Sequence, residues 1–103
     1  MNSEKKRKTA DLLSICIKAG RAVKGFDSAK EAVVGGKAFC VLIAADASPK
    51  TAKEIRFFCE KANVAAYDVL LEKSDIGRLC GKETAVLAVC DEGFAKGFGK
   101  SLL

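Results

Sequence analysis

The sequence predicts an α/β protein, a three-layer α/β/α sandwich built on a four-stranded mixed sheet. Three observations carry that prediction. Strand-length apolar runs alternate with segments of helical period, in the order α-β-α-β-α-β-α-β-α. Residues 38–45 are apolar without interruption, as in a strand covered on both faces. The chain has 103 residues, 50% of them hydrophobic, which suits one core and a single domain.

From Thr9 the pattern is helical. Leu12, Ile15, Cys16 and Ala19 fall at i, i+3, i+4 and i+7, and Gly20 supplies a C-terminal stop. Residues 1–8 ahead of this helix read as a basic N-terminal tail, frayed or partly helical, and residues 9–103 as the domain. Residues 21–24 form a short extended piece, hence a weak sheet edge. Ser28 and Glu31 have capping-box spacing, so the second helix begins near Asp27 or Ser28, with Phe26 stapling onto Ala32 or Val33. Gly35-Gly36 ends it. After the apolar strand, Ser48 caps a third helix with Pro49 at its first position. Ala52, Ile55, Cys59 and Ala62 turn inward with Phe58 beside them, and Asn63 closes that helix. Residues 64–71 read as a strand. Ser74 caps a short helix through Ile76, Leu79 and Cys80 that Gly81 ends, and residues 84–90 form the last strand. Asp91 and Glu92 suit a helix N-terminus, and Phe94, Phe98 and Leu102 follow at fourfold spacing.

Composition closes several functional routes. There is no histidine, which removes Ser-His and Cys-His nucleophile pairs and the commonest metal ligand. The five cysteines, Cys16, Cys40, Cys59, Cys80 and Cys90, form no CxxC pair, so they read as buried reduced thiols rather than disulfides or zinc ligands. No GxGxxG or Walker loop is present. No catalytic residue, metal or cofactor is therefore expected. No apolar run approaches the ~20 residues that span a bilayer, and the N-terminus does not read as a signal peptide. A cytoplasmic protein without a membrane partner is expected.

The net charge is +5, and its distribution is uneven. Residues 1–37 hold nine Lys/Arg against four Asp/Glu, while residues 38–103 hold nine of each. A polyanion-binding surface built largely from the first third is the natural expectation.

Three places could hold such an anion. In Ala19-Gly20-Arg21-Ala22-Val23-Lys24-Gly25-Phe26-Asp27-Ser28 a basic strand meets glycine and then a helix N-terminus, whose amides can hold a phosphate; a plain capped turn is the competing reading. At Ala44-Ala45-Asp46-Ala47-Ser48 a buried strand ends, and Asp46 either meets a base or steadies the turn. Gly81-Lys82-Glu83-Thr84-Ala85 is a polar loop in which Lys82 can meet a phosphate.

In order, these pieces resemble the ribosomal L7Ae/L30e family of kink-turn RNA-binding proteins, over roughly residues 9–98. The resemblance rests on Leu12-Leu13 with residues 19–25, on Gly36-Lys37-Ala38, on Val41-Leu42-Ile43-Ala44-Ala45-Asp46-Ala47-Ser48, and on Leu79-Cys80-Gly81-Lys82. The ending Asp91-Glu92-Gly93-Phe94-Ala95-Lys96 is similar to the bacterial YlxQ-like branch.

The resemblance implies the same sandwich fold and non-catalytic binding of structured, kink-turn-like RNA by a ribosomal or ribosome-associated protein, monomeric when free. It implies RNA contacts at Arg21, Lys24, Gly25, Phe26, Asp27, Ser28, Lys30, Lys37, Asp46, Lys82, Glu83 and Thr84. Family members carry Gly-x-Asn-Glu and then a lysine at the first junction. This chain has Gly25-Phe26-Asp27-Ser28, with Glu31 at the lysine position and Lys30 rotated ~100° around the helix. Asp27 accepts hydrogen bonds but cannot donate as an amide does, and Glu31 repels phosphate. The family's Ala-Glu-Asp after the second strand is Ala44-Ala45-Asp46 here. These departures motivate an alternative, a protein-interaction module of the same fold with a weakened RNA site.

Overall fold

Five helices and four strands alternate in the predicted order: α1 (Asn2–Lys18), β1 (Ala22–Lys24), α2 (Phe26–Val34), β2 (Cys40–Ile43), α3 (Pro49–Ala62), β3 (Ala65–Asp68), α4 (Lys73–Cys80), β4 (Val86–Val89) and α5 (Glu92–Leu102). The computed structural model describes residues 2–102; Met1 of the basic tail and Leu103 lie outside the described residues. The strands form one sheet in the order β1-β4-β2-β3. β4 runs antiparallel to both β1 and β2, while β2 and β3 are parallel, so the sheet is mixed as predicted.

Strand alternation creates the three layers. Side chains at successive strand positions point to opposite faces. Cys40 and Leu42 of β2, with Leu87 and Val89 of β4, pack on Leu13 and Cys16 of α1, Ile76 of α4 and Phe98 of α5. Val41 and Ile43, with Val86 and Ala88, pack on Ala29 and Val33 of α2 and Ile55 and Cys59 of α3. The two central strands are buried at every position, whereas β1 and β3 are not. That is why residues 40–44 are continuously apolar, whereas Phe39 and Ala45, which the sequence pattern places in the same covered strand, are exposed. β1, with three residues, is the weak edge that its length implied.

The helices differ from the sequence reading at several ends and faces. α1 starts at Asn2, seven residues before Thr9. Its first turns are rich in good helix formers, and they lean on neighbours: Lys6 Nζ lies 3.1 Å from Asp75 Oδ2, Lys5 Nζ donates to the Leu102 carbonyl, and Lys8 pairs with Glu4. The buried face is also rotated. Thr9, Leu13 and Cys16 are buried, Ile15 is 57% exposed and Ala19 is exposed. A threonine can enter this face because its hydroxyl donates back to the Lys5 carbonyl at 3.0 Å and leaves no polar group unpaired.

α3 keeps the predicted cap: the Thr51 N–H donates to Ser48 Oγ at 3.2 Å, Pro49 opens the helix, and Asn63 closes it at φ 58°. Ile55 and Cys59 are buried, but Ala62, expected inward, is exposed in the last turn. α4 begins at Lys73, so Ser74 is inside the helix rather than its cap. Its N-terminus is satisfied instead by acids: Asp46 Oδ1 accepts the Lys73 N–H at 2.7 Å, and Asp75 Oδ2 accepts the Glu72 N–H at 2.8 Å. The Glu72 amide and then the Lys6 ammonium hold the Asp75 carboxyl below its ordinary range. At α5, Asp91 Oδ2 accepts the Phe94 N–H at 2.9 Å, and Phe98 is fully buried.

All five cysteines are free thiols. Cys16, Cys40 and Cys59 are buried, whereas Cys80 and Cys90 are partly exposed, so the expectation of uniformly buried thiols holds for three. Burial pushes the Cys16 thiol up to about 11 and that of Cys40 to about 12. A thiol reagent is expected to modify at most Cys80 and Cys90 in the native protein and all five after denaturation, as counted by intact mass. Rapid native labelling of Cys40 would contradict the packing.

Candidate nucleic-acid interface

Sheet direction decides what meets what. β1, β2 and β3 end, and β4 begins, at one end of the sheet. The connecting loops are laced together there by backbone hydrogen bonds: Gly25 N–H to Val86 O at 2.9 Å, Ala44 N–H to Ala85 O at 2.8 Å, and Ala45 N–H to Leu71 O at 2.8 Å. The junction at Gly25, the end of β2 and the loop before β4 therefore share one surface. This is the end at which layered α/β folds gather ligands.

Three helices, α2, α3 and α4, start at this end, and their N-termini are not equivalent. Ser48 caps α3, while Asp46 and Asp75 satisfy the start of α4. The α2 N-cap is Gly25, which has no side chain to offer. The Ala29 N–H bonds to the Gly25 carbonyl at 2.9 Å, so the first-turn amides of Phe26, Asp27 and Ser28 have no intrahelical acceptor. They lie at the positive end of the helix dipole. The capping box expected from Ser28 and Glu31 is thus not formed. The chain bends at Gly25 itself, which brings Phe26 into the helix as its first residue and packs its ring against the α2–α3 side of the core.

Gly25 has φ 95° and ψ 155°, a backbone region essentially reserved for glycine. A Cβ there would meet nothing within 4 Å. The constraint is conformational, and the space over the turn is open to an approaching ligand.

The loop before β4 is fastened to this turn. Lys24 Nζ donates to the Cys80 carbonyl at 2.8 Å, at the negative end of α4. An ammonium has three donors, so Lys24 retains two for a phosphate. Thr84 is 4% exposed, and its hydroxyl donates to the Lys82 carbonyl at 2.7 Å. Thr84 therefore shapes the loop from beneath, and Lys82 and Glu83 are its exposed side chains beside Gly81. Asp46 likewise caps α4 across 27 residues of chain, which makes it a structural brace.

Other predicted residues lie elsewhere. Arg21 precedes β1 and Lys37 precedes β2, at the opposite end of the sheet. A groove of about 420 Å³ along α2 and β1, lined by Val23, Ser28, Glu31, Lys37 and Cys90, connects that end with Ser28. The Lys30 ammonium lies 4.6 Å from the centre of the Phe58 ring of α3, so it packs between helices while Glu31 faces the groove. The first-third cations do not all gather around the Gly25 turn: Lys30 packs on Phe58, and Arg21 and Lys37 lie at the other end of the sheet. Those of α1 belong to the α1–α4–α5 layer, and Lys24, Lys30 and Lys37 are separated by β1 and α2. A helix that carries Lys5, Lys6, Arg7 and Lys8 must pack its apolar face somewhere, and packing, not charge, chooses where.

Two contributors escaped the sequence reading. One is the Cys80 carbonyl that holds Lys24. The other is Gly77, where a Cβ would lie 2.9 Å from the Glu83 backbone nitrogen. A glycine inside a helical pattern was the available signal for close backbone approach. Among the described residues no cluster of three or more Cys, Asp or Glu could hold a metal ion, and no helix is long and apolar enough to cross a membrane.

Comparison with known proteins adds four findings. Residues 7–98 match the sequence pattern of the ribosomal protein L7Ae/L30e/S12e/Gadd45 family. The chain is 35% identical over 85 residues to the RNA-binding protein YlxQ of Bacillus subtilis, covering 82% of this chain and 84% of that one. It is 32% identical over 97 residues to the large ribosomal subunit protein eL30B of Schizosaccharomyces pombe, covering 88% and 83%. A solved structure, a Bacillus halodurans protein of unknown function, superposes with a TM-score of 0.85 at 26% identity, covering 90% of this chain and 94% of the other.

Proposed function

Because this chain belongs to the ribosomal protein L7Ae/L30e/S12e/Gadd45 family, we propose that it binds structured, kink-turn-like RNA without catalysing a reaction, as a ribosomal or ribosome-associated protein of the cytoplasm, monomeric when free. The similarity to an RNA-binding YlxQ protein and to a large-subunit ribosomal protein supports this reading. The observation that carries it is the uncapped start of α2 beneath the Gly25 turn.

In this account the amides of Phe26, Asp27 and Ser28 receive an anionic oxygen. The Asp27 and Ser28 side chains, both exposed, meet base edges, and the open space over Gly25 admits the RNA backbone. Lys24 and Lys82 neutralise phosphates, with Glu83 at the rim. Asp46, Thr84 and Lys30 act by holding the surface in shape. Arg21 and Lys37 serve only an RNA that follows the groove along β1.

A gel-shift titration tests this with a kink-turn RNA and a counterpart whose sheared guanine–adenine pairs are replaced by Watson–Crick pairs. We expect the counterpart to bind at least about tenfold more weakly, one hydrogen-bonded contact's worth or more. Affinity is expected to fall linearly in log–log form with salt, in proportion to the phosphates contacted. Equal binding of both RNAs reduces the function to non-specific RNA association. The exposed carboxylate of Glu31 in the groove favours the second reading, a protein-interaction module. Partners that survive ribonuclease, with no RNA binding at low salt, would establish that instead.

A further inference from the structure

α1 is joined to β1 by a tight turn at Gly20 and packs against α4 and α5. It therefore runs back along the sheet, and its N-terminal turns lie at the same end as Gly25. Two contacts fix this. Lys5 reaches the Leu102 carbonyl at the end of α5, and Ser3, Lys6 and Arg7 form one wall of a groove of about 310 Å³ whose other wall is Asp75, Arg78 and Leu79 of α4.

Residues 3–8 and 73–80 together carry six cations and two acids. Both acids are already engaged: Asp75 binds Lys6 and Arg78, and Glu4 pairs with Lys8. Among the described residues Arg7 pairs with no carboxylate and is exposed, and Arg78 is 73% exposed. The Lys24–Cys80 hydrogen bond links the other end of α4 to the α2 turn. The cationic strip is thus continuous with the surface described above: α2 start, loop 81–85, α4, α1 start. Lys82 and Glu83 cancel along the way, so the excess lies beyond them, over α4 and α1.

We propose that this strip grips the phosphate backbone of an RNA helix that leads away from the bound element, so that the footprint extends from α2 across α4 to the first turns of α1. The proposal rests on the RNA-binding reading and adds a second, sequence-independent contact to it. Guanidinium groups suit it, because their planar forks match phosphate oxygens.

The test uses the full chain, a triple variant R7Q/K8Q/R78Q, and two RNAs that share one kink-turn but carry a short or a long flanking helix. Glutamine keeps helix propensity, and Lys6 keeps its bond to Asp75; circular dichroism checks that the helices persist. On the long RNA the variant is expected to bind on the order of tenfold more weakly, with a salt slope smaller by about two to three. On the short RNA it is expected to match the wild type. Hydroxyl-radical footprinting of wild type on the long RNA is expected to protect backbone beyond the kink. Equal affinities and slopes on the long RNA, with no protection beyond the kink, overturn the strip while leaving the α2 site standing. Wild-type protein that binds neither RNA overturns both.

Discussion

Replacing Gly25 by alanine is expected to weaken RNA binding on the order of 100-fold, which corresponds to about 3 kcal/mol. The effect is built from the backbone. At φ 95° and ψ 155° an alanine is strained by about 1–3 kcal/mol, and the chain relieves that strain by rotating out of the region. Rotation moves the first-turn amides of α2, because Gly25 sits between the Val86 carbonyl it donates to and the Ala29 amide it accepts from. Any alanine that tolerates the strain projects its methyl into the open space over the turn, where the RNA must come. Denaturant unfolding separates the two losses. A stability change of about 1–3 kcal/mol with a much larger proportional loss of binding is the expected pattern. A Gly25→Ala protein that binds RNA like the wild type would show that this turn is not where RNA sits.

The second large effect is expected from Gly77→Ala. Its Cβ would approach the Glu83 nitrogen to 2.9 Å and the Lys82 carbonyl carbon to 3.1 Å, both backbone atoms that cannot swing aside. Either α4 or the loop must shift, at a cost of about 1–3 kcal/mol typical of overpacking. The shift pulls on the Cys80 carbonyl that holds Lys24 and on the Lys82 carbonyl that receives the Thr84 hydroxyl. Binding is therefore expected to fall roughly tenfold although Gly77 touches no RNA, a loss of about 1.4 kcal/mol. Urea denaturation and a gel-shift titration read the two numbers. A substitution that destabilises the fold but leaves affinity intact would detach the loop from the interface.

The sheet was legible from the sequence because its central strands are apolar at every position, and the element order followed. Capping of α3 at Ser48, with Pro49 at its first position, and at Asn63 was legible too, since each acts through its own local geometry. Some of what was not legible depends on contacts remote in sequence, and some on which of two local options the packing selects. The start of α4 is satisfied partly by Asp46, 27 residues before Lys73, together with Asp75, and Ser74 lies inside the helix. The sequence pattern gives α1 an all-apolar stripe, yet Thr9 enters the core by bonding to its own helix, and Ile15 is left outside. Ser28 and Glu31 had the right spacing for a capping box, but glycine's turn placed the helix start two residues earlier than Ser28. Of the candidate site, the three loops were visible as motifs and the sheet direction joins them. Charge counting could not resolve position, because Lys30 spends its ammonium on Phe58 and Arg21 and Lys37 lie at the other end of the sheet.

Backbone amide NMR during titration with a kink-turn RNA puts the central claim to its most immediate trial. The largest chemical-shift changes are predicted at Phe26, Asp27 and Ser28, with smaller ones at Lys82 and Glu83, and none along the exposed edge of β3. Changes concentrated on β3 and α3, with the first turn of α2 silent under saturating RNA, would contradict it.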